Sequence, residues 1–170
     1  MFNDLGVLVL DNAFEGYNTS LFAYGQTGSG KSYSMVGYGD DKGIIPKVCD
    51  TIFQRIEANK TAGSVIIYQV ECTMMEIYNE EVRDLFNPTK NPAGGLKVRD
   101  HPKTGPYVEG LTPILVNSYA EVDKLMAKGT AARTIAATNM NQTSSRAHTI
   151  FSIIFTQTTV NEANGTKHDR

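Results

Sequence analysis

Residues Gly25–Ser32 read GQTGSGKS, and they follow the apolar stretch SLFAYG that begins at Ser20. Gly25, Gly30, Lys31 and Ser32 satisfy the spacing G-x-x-x-x-G-K-[ST]. Each residue type has a physical reason. Glycines let backbone N–H groups curl inward around phosphate oxygens, where a Cβ would obstruct them. A helix opening at Lys31 would turn its positive end toward the same anion. The lysine is a compact, mobile charge for β- and γ-phosphates, and the Ser32 hydroxyl suits the small oxygen shell of Mg²⁺. The context such a loop requires is a strand before it and a helix after it. SLFAYG reads as a short buried strand, and Lys31 to Val36 read as the start of a helix.

Working outward, the chain has 170 residues, 41% apolar and 20% charged, with a formal net charge of −2. That length suits one domain with a sizeable core. The charge argues against a nucleic-acid binder, which declares itself by a basic balance. No apolar run approaches the roughly 18 residues of a membrane helix. The start, MFNDLGVLVL, lacks the basic region of a signal peptide, so a cytoplasmic location is the expectation. Cys49 and Cys72 lie in periodic apolar segments and read as buried, reduced thiols.

Phe2, Leu5, Val9 and Ala13 fit one face of a helix, although VLVL alone equally suits a strand. Ile45, Val48, Ile52 and Ile56 recur at helical spacing behind Pro46. VIIYQVECTMMEIY alternates as a strand, with Tyr68, Val70, Cys72 and Met74 on one face and Gln69, Glu71 and Thr73 on the other. NEEVRDLF reads as one or two helical turns. LKVRD, PYVEG and TPILV read as short strands. Ser118 with Glu121 forms a capping box that starts a helix running to about Ala136. TNMNQTSSRAH is polar loop, and His148 to Thr159 is a strong β run. Asn164-Gly165 is a type I′ hairpin signal. With the chain stopping at Arg170, the expectation is a strand that is cut short or supplied from elsewhere.

FAYGQTGSGKSYSM, GIIPKVCDTIF, MMEIYNEEVRDLF and TNMNQTSSRAH, in that order, resemble the motor domain of kinesins, with a spelling closest to the kinesin-3-like group. The resemblance covers nearly the whole chain and implies an α/β fold, a P-loop NTPase sheet flanked by helices, within one partial motor domain over residues 1–170. It implies a microtubule-based motor ATPase using ATP and Mg²⁺, cytoplasmic and associated with the microtubule cytoskeleton. On this reading Gly25, Gln26, Thr27, Gly28, Ser29, Gly30, Lys31 and Ser32 hold the phosphates, and Tyr33 packs its ring on the adenine. Residues 141–148 match the family's switch I. Ser144 and Ser145 then sense the γ-phosphate, Ser145 joins Ser32 on the metal, and Arg146 pairs with a switch II glutamate. Ala147 stands where the family usually has serine. A hydroxyl-and-arginine loop facing a phosphate loop also has a physical rationale, because a triphosphate needs a second set of ligands that can let go after hydrolysis.

Lys97 to Leu111 resembles the family's tubulin-touching strand–loop–strand, making Arg99, His101 and Lys103 candidate contacts; ordinary solvated charges on a hairpin are the other reading. The family's base-binding R-x-R-P and its switch II, D-x-A-G-S-E, do not occur in these 170 residues. The sheet is therefore expected to be truncated before switch II. A non-motile nucleotide-binding or interaction module, or one half of a split motor, are the alternative functions. Tyr78, Leu85 and Phe86 are read as packing residues.

Overall fold

The computed structural model describes residues 1–61, 66–139, 147–160 and 167–169. They form two compact units, Met1–Val70 with Asn117–Ala120 and Phe155–Arg170, and Glu71–Val116 with Glu121–Ile154.

In the first unit a π-turn over Phe2–Gly6 runs into helix α1, Val7–Phe14. The helix forms, but its buried stripe is centred on Gly6 and Leu10, while Leu5 is 43% exposed. Helix α2, Lys31–Met35, is followed by a small hairpin of β1, Gly37–Tyr38, and β2, Asp41–Lys42. Helix α3, Ile44–Thr61, buries Ile44, Val48, Ile52 and Ile56 at four-residue intervals, together with Cys49. Pro46 sits in its first turn, where no helical N–H is needed. Phe14 closes α1 against an aromatic cluster: its ring lies 4.8 Å from that of Phe155, which stacks on Tyr68 at 5.7 Å. The Gln157 side chain donates to the Phe14 carbonyl at 3.0 Å, and Arg55 pairs with Asp11 at 2.8 Å.

Strand β3, Ile66–Tyr78, pairs with β4, Glu81–Asp84, with β7, Ile114–Val116, and with β8, His148–Val160. Its alternation holds as far as Cys72; beyond that Thr73, expected to face outward, is buried as well. Burial pushes the Cys72 thiol up to about 12, as expected of an inert, reduced cysteine. NEEVRDLF is not helical. Asn79 and Glu80 both adopt positive φ, 49° and 66°, and make the two-residue turn of a hairpin whose register pairs Tyr78 with Glu81. Positive φ at both positions is the type I′ requirement, and Asn-Glu meets it without the glycine that normally announces it.

Strands β5, Lys97–His101, and β6, Gly105–Glu109, form a separate antiparallel pair. Helix α4, Tyr119–Asn139, starts directly after Ser118 and buries Val122, Met126 and Gly129 along one stripe. A Cβ on Gly129 would run into the Met74 sulfur, so glycine is what lets α4 lie against β3 there. At the end of the chain β9, Lys167–Asp169, returns antiparallel along β8, with Thr158 opposite Asp169. The returning strand, expected to be cut short or supplied from elsewhere, is begun by the chain itself; the Asn164-Gly165 turn lies outside the described residues.

One expectation fails beside the candidate site. SLFAYG is not a strand: residues 17–25 have no regular structure, and Phe22 and Tyr24 are 86% and 101% exposed. A strand is stabilised by ladder partners on its N–H and C=O groups, and none of the described strands pairs with this segment.

Candidate phosphate-binding site

The loop that begins at Gly25 is built by backbone conformations that favour glycine. Gly25, Gly28 and Gly30 have φ of 151°, 84° and 85°, and Gly30 is the left-handed residue from which α2 starts. A Cβ on Gly28 or Gly30 would meet nothing within 4 Å, so both glycines face open space that a side chain would fill. The turn is closed by the Ser29 N–H donating to the Gln26 carbonyl at 3.2 Å. The Lys31 ammonium folds back over the loop and donates to the carbonyls of Gly25 and Gln26 at 2.6 and 2.8 Å. A cation held on neutral carbonyls beside an open glycine cradle is suited to an anion, because ionic acceptors make stronger hydrogen bonds than neutral ones. Helix α2 has only five residues. The Lys31 ammonium, rather than a long macrodipole, is therefore its main electropositive element.

Ser32 is exposed in the first turn of α2, as a hydroxyl available to a hard cation should be. Among the described residues no cluster of His, Cys, Asp or Glu could hold a metal by itself. A metal here would be carried by phosphate oxygens together with a hydroxyl, and the residues present fit that arrangement. Tyr33 is half exposed; its hydroxyl donates to Asp41 at 3.3 Å, and its ring lies 6.2 Å from that of Tyr38. Sequence reasoning missed Asp41, whose only signal was an Asp-Asp pair in a turn-rich stretch.

Ser144, Ser145 and Arg146 lie outside the described residues, as do Asn141 to Thr143; Ala147 and His148 lead into β8. The other candidates sit on the β5–β6 hairpin, whose β5 residues are all exposed. Arg99 donates to Glu109 at 3.0 Å across the pair. His101 accepts the N–H groups of Lys103 and Thr104 at 3.3 Å, so it shapes the turn that presents Lys103.

The kinesin motor domain, as a family pattern, matches residues 1–169. The chain is similar to kinesin-related protein 1 of Dictyostelium discoideum, 56% identical over the whole chain and 8% of the relative. It is 55% identical to the kinesin-like protein KIF1A of Rattus norvegicus, over 92% of this chain and 9% of that one. The kinesin-3 spelling read in the sequence is that of KIF1A and its relatives. Among solved structures, a fast kinesin studied for its ATPase mechanism and interactions with microtubules superposes with a TM-score of 0.87 at 42% identity. A KIF14 dimer, bound with AMP-PNP to a microtubule, superposes with 0.81 at 43%. These alignments cover 99% and 98% of this chain and 46% of each solved chain, so the chain spans about half of the structures it matches and under a tenth of the curated relatives. With the fold, the phosphate loop and the match over residues 1–169 in agreement, this chain belongs to the kinesin motor domain family.

Proposed function

We propose that residues 25–32 bind the triphosphate of MgATP, and that the chain contributes this site to a kinesin-type, microtubule-based motor ATPase. The observation that carries the reading is the pairing of open, left-handed glycines at 28 and 30 with the Lys31 ammonium on the carbonyls of Gly25 and Gln26. MgATP would supply the phosphoanhydride bond and the metal's charge. The chain's part is positioning and electrostatics, which carry most of phosphoryl-transfer catalysis. Lys31 exchanges two neutral carbonyls for phosphate oxygens, Ser32 offers its hydroxyl to the metal, and Tyr33 offers a ring face to the base. Ser144, Ser145 and Arg146 supply the opposing ligands, with Ser145 a second hydroxyl for the metal. Arg99, His101 and Lys103 meet the acidic surface of tubulin, and the protein works in the cytoplasm on the microtubule cytoskeleton.

The test has two parts. Titration of the purified chain with MgATP should give saturable binding that inorganic triphosphate competes away. Co-sedimentation with microtubules should fall when Arg99 and Lys103 are both changed to alanine. Absence of nucleotide binding would end the phosphate-loop reading. Sedimentation indifferent to those two charges would remove the hairpin from the tubulin contact.

A further inference from the structure

Two side chains of the β1–β2 hairpin converge on Tyr33. Tyr38 and Asp41 stand opposite each other in its register, so their side chains leave the hairpin on the same side. The Asp41 Oδ2 accepts the Tyr33 hydroxyl at 3.3 Å, and the Tyr38 ring lies 6.2 Å from the Tyr33 ring, tilted by 33°. That spacing is within the range of a supporting aromatic pair. Tyr33 is nonetheless 50% exposed, so part of its ring stays open to a ligand. The binding reading above uses the ring but neither of the two residues that hold it.

The hairpin that carries them is itself fixed to the end of α2. Gly37 has a φ of 83°, and a Cβ there would run into the Asp41 carbonyl. A Cβ on Gly43 would run into the Met35 carbonyl, and the Gly43 N–H donates to the Val36 carbonyl at 2.9 Å. The Lys42 ammonium lies 4.4 Å over the ring of Tyr119, the first residue of α4 and part of the same unit. Asp41 thus sits between two close backbone approaches, at a set place relative to Tyr33.

The charge of Asp41 says which part of a ligand it can serve. A carboxylate repels phosphate, so Asp41 is no phosphate ligand. Lys31 opens α2 with the opposite charge, and the hairpin follows the other end of that helix. Helix and hairpin together therefore run from cation to anion. A nucleotide has a matching asymmetry, with charged phosphates at one end and an uncharged base at the other.

We propose that Asp41 is a positioning residue: with Tyr38 beside the ring, it holds Tyr33 in one orientation before a nucleotide arrives, and the open side of the ring stacks on the base. Ordering a free side chain during binding costs affinity, and a ring ordered in advance avoids that cost. The inference rests on the nucleotide reading above and adds to it the element that selects a nucleotide over bare triphosphate.

The experiment titrates the full 170-residue chain with MgATP and, separately, with Mg²⁺ and inorganic triphosphate, which has no base to stack. Asp41→Ala removes the acceptor, and Tyr33→Phe removes the donor while keeping the ring. Each should lower the affinity for MgATP about fivefold, the size of one net hydrogen bond, and leave that for triphosphate unchanged. The double variant should bind MgATP no more weakly than either single one, because both changes break the same bond. Unchanged MgATP affinity in Asp41→Ala, an equal fall for both ligands, or losses that multiply in the double variant would overturn the positioning role and leave the phosphate loop standing. A chain that binds neither ligand overturns the nucleotide reading, and this inference with it.

Discussion

Two loops of this protein are organised around charge in opposite ways. The loop after β4 wraps an anion of its own: Asp84 is 2% exposed, its Oδ1 accepts the N–H groups of Phe86 and Asn87 at 2.8 and 3.1 Å, and its Oδ2 accepts that of Thr112 at 2.9 Å. Asn91 completes the knot, accepting from the Asp84 N–H at 2.8 Å and donating to its carbonyl at 3.0 Å. The Gly25–Ser32 loop contains no acidic residue. It carries a cation on its own carbonyls and glycines that open onto free space. A loop whose donors converge on its own buried carboxylate is structure, whereas a cation resting on neutral carbonyls is one that a stronger, ionic acceptor can draw away. Both contain short polar runs, so composition does not separate them; the destination of the N–H groups does.

The largest expected effect that would break this contrast is in the open loop. Lys31→Ala should weaken MgATP binding by more than about a hundredfold, since it removes a charge from a multiply charged anion, while the thermal midpoint barely moves. Unchanged affinity in a titration would mean the lysine belongs to the loop's structure. The mirror experiment is Asp84→Ala, which leaves one buried and two part-buried N–H groups without their acceptor and should cost about 2–4 kcal/mol. The midpoint should then fall by about 6–12 °C, with nucleotide affinity of the folded protein unaltered. Loss of affinity without loss of stability would make the closed loop a second site.

Gly28→Ala sharpens the contrast with a smaller change. At φ 84° an L-residue is strained by about 1–2 kcal/mol, and its methyl would point into the cradle. Affinity for MgATP should fall about tenfold, measured on the same titration. The smallest effect compares Asp84 with the other buried carboxylate of its unit. Glu76 has its pKa raised by burial, so between its ordinary value of 4.5 and its higher value in the fold the native state holds more protons than the unfolded one. Stability from this group is present below that window and is lost as pH rises through it. Unfolding midpoints taken from pH 4 to 8 should show that decline in the wild type, and Glu76→Gln should flatten it.

How much of this was legible beforehand depends on where each element's stabilisation comes from. Helix α3 was readable because Ile45, Val48, Ile52 and Ile56 recur near its period and Pro46 suits its first turn, although the structure buries Ile44 in place of Ile45. Strand β8 and the β5–β6 pair were readable from β-rich runs broken by turns. The Asn79-Glu80 hairpin was not, because Glu carries no signal for positive φ and EEVRD has the charge of a helix surface. Pairing with β3 overrode that local preference. SLFAYG failed the other way: its apolar content reads as a strand, but a strand exists only where another lends it hydrogen bonds.

The sequence by itself marked residues 25–32 as a candidate phosphate loop whose glycines take positive φ, since those requirements are local to eight residues. It also determined the family, through motifs whose order survives without any coordinates. Only the tertiary structure decided that Asp84 spends its charge on three distant or neighbouring N–H groups while Lys31 rests its charge on the neutral carbonyls of Gly25 and Gln26. It alone set the Arg133 guanidinium against the Thr149 hydroxyl, 16 positions away in the chain. Hydrogen-bond partners and burial are properties of what the chain is folded against, and no window of sequence contains them.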